Sequence, residues 1–334
     1  MKYRLHYFCC IAFLILFSSS GCTLIKASLR QGPTEPVAKI EDISIPAVKG
    51  NILVRVYTPQ GNGPFPILVY IHGGGWIGGS IKSQDKICRY LSNKVTCIVV
   101  SVKYRLAPKH KFPIPVEDCY AATMWVSKNA QSINGDPARI AIGGPSAGGN
   151  LSAAVCLMAK DRGGPPIIFQ LLVIPSTNLS SLDTESYRLY ATGHELTKKD
   201  VEICRALYLR NIDDRFNPYA SPLLAKNHRN LPPALVITGE YDVARDDGKA
   251  YAECLKQAGV RARYYCFKGM GHFGVYWTSA SDAVQSALDE AVSALREAFS
   301  KNHRWHIWPL ITRNFTVIIL PQSAEAAEKQ IANL

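Results

Sequence analysis

A serine set among small residues, Gly143-Gly144-Pro145-Ser146-Ala147-Gly148-Gly149, is the group in this chain best suited to covalent chemistry. It follows the apolar run Arg139-Ile140-Ala141-Ile142 and precedes a helix-like run over 150–155. Strand, glycine-flanked turn and helix in that order let the backbone turn tightly and push a hydroxyl out at the top of a sheet. A hydroxyl so placed is a candidate nucleophile, but it needs a base, a carboxylate to orient the base, and donors for the negative oxygen of a tetrahedral intermediate.

Each of these has a candidate at the end of an apolar run. Upstream, Pro66-Ile67-Leu68-Val69-Tyr70-Ile71 reads as a buried strand and runs into His72-Gly73-Gly74-Gly75-Trp76. The glycines allow close backbone approach, so the N–H groups of Gly74 and Gly75 are the expected oxyanion donors, with Ala147 N–H as the third. A plain glycine turn and a phosphate cradle are the other readings of such a loop, and the cradle lacks its Gly-Lys-Ser/Thr ending here. Downstream, Leu235-Val236-Ile237-Thr238 ends in Gly239-Glu240-Tyr241-Asp242, and a strand over 261–267 ends in Gly269-Met270-Gly271-His272. Asp242 and His272 thus sit at consecutive strand ends, where both can converge on Ser146. Glu240 and Asp246 are rival carboxylates, and a solvated or helix-capping role is read for both. His72, beside the glycines, reads as a structural hydrogen bonder.

These segments resemble the hormone-sensitive-lipase-like branch of the α/β-hydrolases. The loop His72–Trp76, the elbow Gly144–Asn150 and the acid loop Asp242–Gly248 match that branch. So do Tyr104-Arg105-Leu106-Ala107-Pro108 with Phe112-Pro113 and Asp118, Ser221-Pro222-Leu223, and Leu231-Pro232-Pro233-Ala234-Leu235-Val236. The resemblance runs over about 45–298. It implies an α/β-hydrolase fold with a mostly parallel central sheet, helices on both faces and a helical cap. It also implies a serine carboxylesterase acting on short-chain acyl esters without metal or organic cofactor, with Ser146 as nucleophile, Asp242 as acid and His272 as base. The chain departs from the branch in three places: Pro145 and Lys109 stand where it has acidic residues, and His272-Phe273-Gly274 reverses its more usual Gly-Phe order. Two rival readings stay open: an amidase or deacetylase using the same triad, and a catalytically inactive envelope scaffold.

The elements that must position these groups follow from patterning. The chain has 334 residues, 47% of them hydrophobic, and alternates strand-like with helix-like runs, which points to one doubly wound domain. The domain is expected over 41–300, with first strands near 43–45 and 52–57, another at 98–102, a helix at 116–127, and a strand at 167–174. Residues 176–230 interrupt the rhythm and read as a cap insertion with a helix-like stretch at 197–210. There Leu207, Tyr208 and Phe216 either line an acyl pocket or pack the cap to the body. A final helix is expected at 280–300. Residues 301–334 form an extension of unknown role, with two short apolar pieces too short to span a membrane.

The termini and charge bear on location. A basic start, an apolar stretch at 8–17 and Ser18-Ser19-Ser20-Gly21 before Cys22 read as a signal peptide over 1–21 with Cys22 as a lipidation site. Residues 22–40 then form a linker or cap segment. This predicts an exported, membrane-anchored lipoprotein facing the periplasm or exterior, with the membrane surface as a possible partner. The net charge is +12, and the basic residues are scattered without a nucleic-acid-binding motif, so no nucleic-acid partner is expected. Cysteines beyond Cys22 number seven, which does not fit a disulfide framework, and no Cys/His cluster suggests a metal. Cys97, Cys156 and Cys266 read as small buried side chains. The oligomeric state is not legible.

Overall fold

The computed structural model describes residues 35–272 and 282–300. Eight strands form one sheet in the order β1-β2-β4-β3-β5-β6-β7-β8. They are β1 (Lys39–Ala47), β2 (Gly50–Thr58), β3 (Phe65–Ile71), β4 (Ile98–Lys103), β5 (Gly135–Pro145), β6 (Ile167–Val173), β7 (Ala234–Gly239) and β8 (Ala262–Phe267). β2 runs antiparallel to both β1 and β4, and every pairing from β4 through β8 is parallel. β1 begins at Lys39, two residues before the expected start of the domain.

Strand periodicity decides which helices cover which face. Ile67, Val69 and Ile71 of β3 point into one core, and Leu68 and Tyr70 into the other, as alternation requires. The first core is closed by α2 (Ile114–Asn129), α3 (Ala147–Arg162) and α6 (Arg245–Gln257); the second by α1 (Asp85–Val95) and α7 (Asp282–Phe299). Such strands read as near-continuous Val, Ile and Leu because both faces are covered. Each fully buried Val, Leu or Ile contributes roughly 1.5–3 kcal/mol. α3 carries the heaviest packing: all its residues from Ala147 to Ala159 are buried. This is the helix that starts directly after Ser146.

Between β6 and β7 the chain makes α4 (Glu185–Leu189), α5 (Lys198–Tyr208) and short 3₁₀ turns at Asp213–Phe216 and Pro222–Leu224. α5 opens on a capping box, with Thr197 Oγ1 accepting Asp200 N–H at 3.2 Å and Asp200 Oδ2 accepting Thr197 N–H at 3.0 Å. Leu182, Tyr187 and Val201 form a small core of their own with Val243 of the acid loop. Tyr208 is fully buried in the main core, whereas Phe216 is 58% exposed, so of these two only Tyr208 packs the insertion to the body.

Among the described residues no helix is long and apolar enough to cross a membrane. This finding overturns the expectation of an exported, membrane-anchored lipoprotein, which is withdrawn. The longest helix, α7, shows why: its exposed side carries Asp289, Glu290 and Glu297, and only one face is apolar. Residues 1–21, Cys22 and 301–334 lie outside the described residues, as does 22–34 of the linker. The rest of that linker lies against α1, where Asn93 Nδ2 donates to Glu35 Oε2 at 3.0 Å. Cys97 and Cys156 are buried, but Cys266 is exposed, because β8 is the last strand of the sheet. The seven described cysteines are all free thiols.

Candidate active site

The C-terminal ends of β3, β5, β7 and β8 meet at one edge of the sheet, where ligands of open α/β sheets bind. Ser146 follows β5 with φ 55° and ψ −119°, a region a non-glycine residue enters only when its surroundings impose it. The surroundings are identifiable. Ser146 N–H donates to Val173 O at 2.8 Å, and its carbonyl accepts Asn150 N–H at 3.0 Å. A Cβ at Gly144 or Gly148 would collide with the Ile71 carbonyl, so only glycine lets the elbow seat against β3.

The candidate base, His272, and the candidate acid, Asp242, arrive on two loops tied to each other. Tyr241 N–H donates to Met270 O at 2.9 Å, and Glu240 N–H to Phe267 O at 3.0 Å. This brings His272 Nε2 to 2.9 Å from Ser146 Oγ. His272 Nδ1 lies 2.9 Å from Asp242 Oδ2. Asp242 is fully buried, and its other oxygen accepts Ala244 N–H at 2.9 Å, which leaves Oδ2 directed at the imidazole. With Nδ1 set against the carboxylate, Nε2 faces the serine hydroxyl, where a neutral imidazole can take its proton.

The rival groups are engaged elsewhere. Glu240 Oε2 accepts Gly269 N–H at 2.8 Å and braces the turn before His272. Asp246, in the first turn of α6, accepts Ser186 N–H at 2.8 Å and ties α4 to α6. His72 stacks on Tyr104 at 4.2 Å, with Nδ1 bonded to Gly73 O at 2.8 Å. Burial pushes its pKa down to about 4, so it stays neutral at neutral pH.

The glycine loop is held from several sides. Tyr104 Oη donates to His72 O at 3.0 Å, and Trp76 Nε1 donates to Asn150 Oδ1 at 3.3 Å. Asn150 Nδ2 in turn donates to Ser176 O and Ala220 O, both at 2.8 Å. Next to Tyr104 in the chain, Arg105 grips the buried Asp118 through two charge-assisted bonds of 2.8 and 2.6 Å. Gly74 has φ 119° and Gly75 φ 59°, which a side chain would resist. Among the described residues the N–H groups of Gly74, Gly75 and Ala147 are not spent on other backbone partners. Asn150 and Arg105 were visible only as motif members in the sequence, and their anchoring contacts are long-range.

A family model described as alpha/beta hydrolase fold matches residues 68–277. The chain belongs to the α/β-hydrolase family, in its hormone-sensitive-lipase-like branch. It is 40% identical over 270 residues to the carboxylic ester hydrolase LipN of Mycobacterium tuberculosis, covering 78% of this chain and 71% of that one. It is 32% identical over 277 residues to an ethyl acetate hydrolase of Pseudomonas putida, covering 81% and 86%. The solved structure of a hyperthermophilic esterase from Pyrobaculum calidifontis superposes with a TM-score of 0.78 at 40% identity, covering 84% of this chain and 88% of that one. This α/β-hydrolase is a serine carboxylesterase acting on a small-molecule ester.

Pro145 is buried in this esterase and pairs with Val173 at the end of β5. Proline removes one N–H and restrains the residue before it, which here is the adaptable Gly144. Neither the Ser146 N–H bond to Val173 nor any candidate oxyanion donor involves the missing N–H. Pro145→Asp is therefore expected to change kcat on p-nitrophenyl butyrate by less than about thirtyfold, or about 2 kcal/mol of barrier. An inert wild type made active by that substitution would contradict this.

Asp247, the neighbour of Asp246 on α6, is a buried carboxyl outside the Ser146, His272 and Asp242 cluster. Burial pushes its pKa well up, the Asn178 N–H pulls the other way, and the nearby Asp242 and Asp246 charges raise it further. An unfolded aspartate ionises near pH 4, so folding takes up a proton above that pH, and stability falls as pH rises toward the folded pKa. Asp247→Asn removes that linkage. Its Tm minus that of wild type is expected to grow between pH 4 and pH 8, at about 2–4 °C per kcal/mol. His72 contributes the opposite slope between pH 4 and 6.5 but is common to both proteins. A difference that stays flat or shrinks with pH would contradict the assignment.

Proposed function

We propose that this carboxylesterase works through a Ser146-His272-Asp242 triad with an oxyanion hole at the N–H groups of Gly74, Gly75 and Ala147. The observation that carries the reading is the unbroken line of 2.9 Å contacts from Ser146 Oγ through His272 to the buried Asp242. Ser146 Oγ attacks the ester carbonyl and passes its proton to His272 Nε2. Asp242 stabilises the imidazolium that forms. The carbonyl oxygen takes the negative charge within reach of the three N–H groups. His272 then protonates the leaving alcohol, and the acyl group stays on Ser146. A water molecule, deprotonated by the same nitrogen, releases the acid.

The domain reading that goes with this is a hydrolase body over 41–300 with a cap insertion over 176–230. A cap excludes water and bounds the acyl pocket. Short-chain acyl esters are the proposed substrates, a reading supported by the ethyl acetate hydrolase among the relatives. A series of p-nitrophenyl esters tests it. kcat/KM is expected to peak at acetate or butyrate and to fall more than tenfold by decanoate. A maximum at decanoate or longer would overturn the chain-length reading, and faster cleavage of the matching anilide would favour an amidase.

A further inference from the structure

Three successive residues of the glycine loop, Gly74, Gly75 and Trp76, have positive φ, and Trp76 holds 61° with a bulky side chain. A residue of that kind keeps such a conformation only where its neighbours over-determine it. Asn150 of α3 and the Ala107 N–H, which donates to Trp76 O at 3.0 Å, hold it from the body, and α5, an insertion helix outside the sheet, holds it from the other side. The Tyr208 ring lies flat on the Trp76 indole, with centroids 4.7 Å apart and planes within 8°. Phe112 meets Tyr208 edge-on at 5.9 Å, and its N–H donates to Tyr208 O at 2.9 Å. One turn earlier on the same face, Cys204 fills the space under Gly75: a Cβ built there would lie 2.6 Å from Cys204 Sγ. The Tyr208 hydroxyl is buried without a hydrogen-bond partner among the described residues, so the ring and not the hydroxyl makes the contact.

We infer that Tyr208 is a positioning residue for the oxyanion hole. Its ring, with Cys204 beside it, clamps Trp76 and Gly75 from the insertion side and so fixes the aim of the Gly74 and Gly75 N–H groups. The inference rests on the triad and oxyanion reading above. It gives α5 a role in transition-state binding besides walling the pocket. A group that only packs would lower stability without distinguishing a charged oxygen from a neutral one.

The test compares wild type with Tyr208→Phe, Tyr208→Leu and Cys204→Leu. Its readouts are kcat and KM on p-nitrophenyl butyrate, and Ki for a butyl trifluoromethyl ketone, whose hemiketal oxyanion occupies the hole, against its methyl ketone analogue. Tyr208→Phe keeps the ring and is expected to stay within about threefold of wild type. Tyr208→Leu is expected to lower kcat by about ten- to hundredfold, less than loss of a whole donor, with KM within about threefold. Trifluoromethyl ketone affinity should fall by a similar factor and methyl ketone affinity should hold. Cys204→Leu crowds Gly75 from the same side and should give the same selective loss, so it decides the matter if Tyr208→Leu does not fold. Unchanged kcat and trifluoromethyl ketone affinity in a folded Tyr208→Leu or Cys204→Leu protein would overturn the inference, as would equal losses for both ketones. Full activity in Ser146→Ala would instead overturn the underlying site reading.

Discussion

Ser146→Ala is expected to lower ester turnover by about 10⁵–10⁶-fold while leaving the fold intact, as in serine hydrolases that lose the nucleophile. Only the hydroxyl is lost. The structural duties of Ser146 belong to its backbone, whose N–H bonds Val173 O and whose carbonyl accepts Asn150 N–H. Alanine meets the same φ of 55° that serine does, so the elbow carries no new strain. Hydrolysis of p-nitrophenyl butyrate and a thermal melt check both halves. A variant with a wild-type melt and more than a few per cent of wild-type turnover would sink the nucleophile assignment.

Asp242→Asn carries the second large expected effect, a loss on the order of 10⁴ in kcat, the size seen when a triad carboxylate becomes an amide in serine proteases. The amide cannot stabilise an imidazolium, and its NH₂ group favours the tautomer in which Nε2 holds the proton and cannot accept one from Ser146. Asp242 is sealed from solvent, so no water takes the place of the missing charge. The same substitution at the other candidate separates the readings. Glu240 is only partly buried and supports the Gly269 turn, so Glu240→Gln should cost less than about tenfold. If Glu240→Gln proves the more damaging of the two, the acid has been misassigned.

The fold was legible where local chemistry and tertiary need coincide. The elbow announces itself because its tight turn admits little beyond glycine at 144 and 148, where the Ile71 carbonyl stands in the way of any side chain. The parallel strands are legible because burial on both faces demands unbroken Val, Ile and Leu. Helix ends were found within a few residues: the 197–210 stretch is Lys198–Tyr208, with Thr197 as its cap. What escaped depends on partners distant in sequence. Nothing near Tyr208 says that it faces Trp76, and nothing near Asn150 says that its amide joins the glycine loop to Ala220. Asp247 stood in the sequence only as a member of the acid loop Asp242–Gly248, although it is buried in the fold. Cys266 was expected to be buried because an isolated strand pattern does not reveal which strand lies at the edge. The expected export and anchoring came from residues 1–22 alone, and the described fold does not bear them out.

If the proposed triad works as described, Ser146 becomes acylated during turnover. Rapid acid quench of the enzyme with p-nitrophenyl butyrate, followed by digestion and mass spectrometry, reads this directly. A butyryl adduct is expected on the peptide that holds Ser146, formed with a burst of p-nitrophenol and absent from Ser146→Ala. Steady hydrolysis with no adduct at Ser146, or an adduct on another residue that persists in Ser146→Ala, would contradict it.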